Sequence, residues 1–99
     1  MAKKSKYTLI LFYRNDNKQS LQIKIALNNL FAKYGNTNQL TVKEVNYKLE
    51  NKICQQYGIM GTPALLILQD GELRGRILGE ISTNDLDILI HNLLNTNKT

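Results

Sequence analysis

Residues 57–80 read YGIMGTPALLILQDGELRGRILGE, and this stretch decides the fold. The unbroken apolar run Ala64-Leu65-Leu66-Ile67-Leu68 predicts a strand. Asp70-Gly71 supplies the tight two-residue turn of a hairpin, and Leu73 to Leu78 predicts the returning strand, so the pair is antiparallel. Pro63, the only proline of the chain, stands immediately before the first of these strands.

Upstream, Leu49, Ile53 and Tyr57 are spaced by four and predict a short helix closing at Gly58. Leu40, Val42 and Val45 mark a strand before it. Between Asn17 and Tyr34 the period is helical: Ile23, Leu27, Leu30, Phe31 and Tyr34 share one face. Asp16 or Asn17 is placed to accept amide hydrogens at the start of that helix, and Gly35 to end it, with a polar loop running to Asn38. Tyr7 to Tyr13 is apolar at nearly every position, as expected of a central strand covered on both faces. Downstream, Ser82 or Thr83 caps a last helix with the stripe Leu86, Leu89, Ile90, Leu93 and Leu94, and Asp85 and Asp87 are assigned to its first turn.

The order is therefore βαβ, then α, then ββα. A right-handed parallel crossover joins the first two strands, and the hairpin extends the sheet antiparallel. The predicted architecture is one α/β domain over residues 1–99: a mixed four-stranded sheet flanked by three helices, the first and last on one face and the middle one on the other. Residues 1–6 form a basic tail and 95–99 fray.

Thirteen Lys and Arg against eight Asp and Glu give a formal charge of +5. Four of the lysines, Lys3, Lys4, Lys6 and Lys98, lie near the termini, so the body of the chain is nearly neutral, which argues against nucleic acid as partner. The longest apolar runs are far short of the roughly 20 residues needed to cross a bilayer. No export signal is read, because Arg14-Asn15-Asp16-Asn17 follows the first apolar stretch without a small-residue cleavage site. A single cysteine, Cys54, forms no internal disulfide, and the expectation is a cytoplasmic protein without membrane contact.

Individual residues offer little catalytic chemistry. His91 is the lone histidine, without Cys, Asp or a second His at metal spacing. Ser20 has no neighbouring histidine to activate it, and Gly58-x-x-Gly61 lacks the Lys-Ser/Thr ending of a phosphate loop. Cys54 reads as a small buried apolar residue. No catalytic residue, metal or cofactor is assigned. Arg74 and Arg76 alternate along the last strand and are expected to project from one face together with Glu72, as a charged rim for a partner.

Ile59-Met60-Gly61-Thr62-Pro63-Ala64-Leu65, with Asp70-Gly71-Glu72 and Gly79, resembles the second half of thioredoxin-fold proteins. The resemblance implies a cis Thr62–Pro63 peptide and a thioredoxin-like βαβαββα fold. It also implies that Thr62 presents backbone groups to an extended peptide. Thioredoxins carry Cys-x-x-Cys after the first core strand, at the start of the following helix. The corresponding stretch here, Arg14 to Leu21, holds no cysteine, so dithiol exchange is excluded. Asn17 and Lys18 offer amide and ammonium groups there, which hold a neighbour without moving electrons.

Together with Ile59 to Leu65, the residues Lys6-Tyr7-Thr8-Leu9, Tyr13, Ser20, Ala26-Leu27-Asn28-Asn29-Leu30 and Leu73 to Ser82 extend the likeness to KaiB-like proteins of the circadian clock, which also lack the redox pair. KaiB proteins usually have a proline-rich connection where this chain has Gln69-Asp70-Gly71-Glu72, so the thioredoxin-like arrangement of residues 64–80 is expected. The resemblance implies a redox-inactive adaptor that docks on a KaiC-type ATPase or a related signalling protein through Asn17, Lys18, Thr62, Pro63, Arg74 and Arg76. A homo-oligomer is compatible with it. The alternatives are a general or stress-related thioredoxin-like interaction module, and a single-cysteine oxidoreductase using Cys54.

Overall fold

The computed structural model describes residues 6–34 and 39–95. Seven elements follow one another: β1 (Tyr7–Tyr13), α1 (Lys18–Tyr34), β2 (Leu40–Asn46), α2 (Asn51–Gln56), β3 (Ala64–Gln69), β4 (Glu72–Leu78) and α3 (Thr83–Asn95). The strands form one sheet in the order β2-β1-β3-β4, with β1 parallel to β2 and antiparallel to β3. This is the mixed sheet expected from the element order. The tail residues 1–5, the loop and helix-ending glycine at 35–38 and the end 96–99 lie outside the described residues.

Alternation along β1 divides the core. Tyr7, Leu9 and Leu11 pack with Ile23, Leu27 and Leu30 of α1 and Leu86 and Ile90 of α3. Ile10 and Phe12 face the other way, toward Val45, Cys54, Ile59, Ala64, Leu66 and Leu68 under α2. Both central strands therefore bury both faces, which is why their sequences run apolar without alternation. Phe12 is wholly buried and meets the Tyr57 ring edge-on at 6.2 Å.

The β3–β4 turn has φ of 53° at Asp70 and 86° at Gly71, the doubly positive geometry for which Asp-Gly is suited. Asp70 also exchanges two hydrogen bonds with Lys6: its carboxylate accepts from the Lys6 N–H at 2.9 Å, and its own N–H donates to the Lys6 carbonyl at 2.7 Å. Lys6 thus belongs to the hairpin and not to a tail.

Three further expectations are corrected. Leu49 stands outside α2, in an Asx turn where Asn46 Oδ1 accepts from the N–H groups of Lys48 and Leu49, and it is 80% exposed. Asp87 lies beyond the first turn of α3; its carboxylate accepts from the Tyr34 hydroxyl and from Lys33 Nζ at 3.0 Å, latching α3 to the end of α1. Finally, Ile67 pairs with Gly75 but Leu68 pairs with Leu73, so β4 carries one extra residue, Arg74. The resulting bulge breaks the alternation, and Arg76 and Glu72 fall on opposite faces of the sheet.

Candidate functional site

The site is built at the end of the sheet where β1 runs out and β3 begins. Phe12 pairs with Ala64, so the β1–α1 connection and the Thr62–Pro63 connection emerge from adjacent strands. Asn17 starts α1: its side-chain oxygen accepts from the Ser20 N–H at 2.8 Å, and its carbonyl accepts from the Leu21 N–H at 3.1 Å. That is an N-cap, satisfying an amide that the helix itself leaves unpaired. Ser20 is fully buried, and its hydroxyl has no hydrogen-bond partner among the described residues. Lys18, in the first turn, is exposed.

The connection ahead of the cap is held by Asp16. Its carboxylate accepts two hydrogen bonds from Arg14, each at 3.0 Å, and one from Lys48 Nζ at 2.8 Å, tying the β1–α1 loop to the β2–α2 turn. The Arg14 guanidinium, and after it the Lys48 ammonium, hold the Asp16 carboxyl far below the usual carboxylate range. These groups are exposed, so the network fixes loop geometry more than it contributes stability.

On the other side, the Thr62–Pro63 peptide is cis. The Gly79 N–H donates to the Pro63 carbonyl at 2.9 Å, and Arg76 Nη2 donates to the Tyr57 carbonyl at 2.6 Å, fixing both ends of the loop against β4. Between them lies an open depression of about 290 Å³ lined by Gly58, Met60, Gly61, Thr62, Pro63, Leu78 and Gly79. Its rim is apolar and uncovered: Met60 is 92% exposed and Leu78 68%.

Of the residues singled out from the sequence, Thr62 and Pro63 line this depression and Arg76 braces its base. Arg74 does not join them; its guanidinium pairs with Glu72 at 3.4 Å on the bulged edge. Asn17 and Lys18 belong to the neighbouring helix start and do not line the depression. Sequence reasoning missed Met60 and Leu78. The available signals were the glycines close on either side of Met60, which leave it unshielded, and Leu78 sharing the face of Arg76 at the end of an edge strand.

Cys54 is 3% exposed, on α2, on the sheet face opposite α1. Its S–H points at the Tyr47 carbonyl at 3.9 Å, and burial, with the Glu50 carboxylate second, pushes the thiol pKa up. No group of three or more His, Cys, Asp or Glu suited to a metal is present among the described residues. Nor is any described helix long and apolar enough to cross a membrane. A second, larger groove of about 810 Å³ runs along α1 against residues 80–83 and contains none of the partner-binding residues expected from the sequence.

Comparison with known proteins places this geometry. No curated protein matches the sequence. Among solved structures, a mutant thioredoxin from Halobacterium salinarum NRC-1 superposes with a TM-score of 0.76 at 20% identity, over 89% of this chain and 74% of its own. Thioredoxin-2, described as a component of the malaria parasite protein secretion machinery, gives 0.78 at 16% identity over 92% and 86%. Trxlp from Edwardsiella tarda EIB202 gives 0.76 at 23% identity over 85% and 81%. At these identities the likeness establishes the fold. The family model described as Thioredoxin matches residues 1–92, and with nearly the whole sequence so covered, the chain belongs to the thioredoxin family.

Proposed function

We propose that this chain is a redox-inactive thioredoxin-family adaptor that binds another protein at the sheet end formed by the α1 start and the Thr62–Pro63 loop. The observation that carries the reading is the separation of sulfur from site. A thioredoxin-type nucleophile is activated as a thiolate at a helix N-terminus. Here the amide at that position is taken by the Asn17 side chain, and the one thiol is buried across the sheet with its pKa raised. What the site offers instead is a rim with two exposed apolar side chains, Met60 and Leu78, beside the Thr62–Pro63 connection, the place where the resemblance puts an extended peptide. The KaiB-like features of the sequence favour a KaiC-type hexameric ATPase as the partner.

Size-exclusion chromatography of the pure protein with a KaiC-type hexamer at micromolar concentrations tests the partner. Co-elution is expected, and its absence overturns the specific assignment. An insulin-reduction assay with dithiothreitol as electron donor tests the chemistry. The wild type and Cys54→Ala are expected to match the uncatalysed rate, and turnover that disappears in Cys54→Ala overturns the redox-inactive reading.

A further inference from the structure

Two sulfur atoms within the described residues, those of Cys54 and Met60, differ in what governs oxidation. Cys54 is buried on α2, in one core cluster with Ile10, Phe12 and Leu66. Met60 is 92% exposed, with Ile59 buried beneath the chain and Gly58 and Gly61 contributing no side chain to shield it. It shares the rim of the Thr62–Pro63 depression with Leu78. We propose that Met60 is an oxidant-responsive modification site, at which a hydroperoxide converts the thioether to a sulfoxide and turns this apolar rim polar.

The step is balanced by the peroxide alone. A sulfur lone pair attacks one peroxide oxygen; the S–O bond forms as the O–O bond breaks. The transferred oxygen gives up its proton to the departing hydroxide or alkoxide, which leaves as water or as an alcohol. Sulfur loses two electrons and the peroxide gains them. A thioether has no proton to lose first, so its reactivity follows exposure, whereas a thiol must ionise before it acts as a nucleophile. The product carries a strong S=O dipole where an adaptable apolar side chain stood. That dipole lies on the same rim as Leu78 and draws water onto a surface otherwise suited to an apolar contact. The consequence for docking rests on the adaptor reading above; the oxidation itself does not.

The test treats the native protein with excess hydrogen peroxide at neutral pH and maps the products by peptide mass. The Met60 peptide is expected to gain one oxygen at least about tenfold faster than Cys54 is modified. Retention on a hydrophobic-interaction column should fall with that gain and return after treatment with methionine sulfoxide reductase. Met60→Leu should keep its retention under peroxide, which separates Met60 from oxidation at Met1. Modification of Cys54 before Met60, a resistant Met60, or retention that ignores its oxidation would each overturn the proposal. A KaiC-type hexamer that fails to bind the untreated protein counts against the adaptor reading only.

Discussion

Replacing Asn17 with alanine separates the two roles open to this residue, because its structural one has a definite magnitude. The side-chain oxygen accepts from the Ser20 N–H at 2.8 Å, and Ser20 is entirely buried. Loss of a helix cap costs about 1 kcal/mol, with a range of about 0.5–2. Because Ser20 is buried, we take the upper half of that range, about 1.5 kcal/mol. For a domain of this length that corresponds to a drop in melting temperature of about 6–12 °C. Asn17→Asp keeps the acceptor and places a negative charge at the positive end of α1, so its melting temperature should stay within about 4 °C of the parent. Thermal unfolding followed by circular dichroism reads both. An alanine variant that melts with the parent, or an aspartate variant that melts with the alanine one, refutes the cap assignment. The same pair bears on docking: if Asn17 also touches a partner, Asn17→Asp weakens complex formation while leaving stability intact.

Two other outcomes follow from the packing and the charges. Phe12→Ala removes a wholly buried ring that meets Tyr57 edge-on, and should cost about 3–5 kcal/mol in urea unfolding; a loss under about 2 would show that the α2-side core collapses around the gap. The Asp87 carboxyl is held below the usual carboxylate range by the Tyr34 hydroxyl first and by Lys33 second, so the folded protein binds its proton less readily than the unfolded chain. The stability this supplies is complete above about pH 4 and is lost as pH falls through the unfolded and then the folded pKa, so Asp87→Asn should flatten the acid limb of a stability profile; an unchanged limb would refute the linkage.

The sequence made the element order legible because each element carried its own local chemistry. Asp70-Gly71 is one of the few dipeptides suited to a turn with two positive φ angles, and Tyr7 to Tyr13 could be apolar on both sides only in a covered central strand. The errors lie where a specific hydrogen bond or strand pairing overrode the spacing of side chains. Leu49 continues the i, i+4 pattern of Ile53 and Tyr57, but Asn46 captures the backbone there in an Asx turn, and α2 begins two residues later. Asp87 looks like a second first-turn acid, yet it is claimed by Lys33 and Tyr34 from more than fifty residues away. Arg74 and Arg76 alternate on paper, but strict alternation assumes an unbroken ladder, and the extra residue in β4 is a property of pairing with β3 that β4 alone does not encode.

The candidate site was half legible for the same reason. Thr62 and Pro63 announce themselves as a motif, whereas Met60 and Leu78 acquire meaning only when the fold brings the end of β4 beside the loop that precedes β3. Around the α1 start the logic runs in reverse. A helix N-terminus leaves amides that some acceptor must satisfy, and in an exchanging dithiol protein a thiolate serves as one such acceptor. Asn17 fills that need from within the chain, in either redox environment, and Asp16 holds the loop before it with two cations. A loop and helix start held by these bonds keep the same shape before and after any change at a thiol. That constancy suits a docking surface, and it leaves the exposed thioether of Met60 as the group on this rim through which an oxidant can alter it.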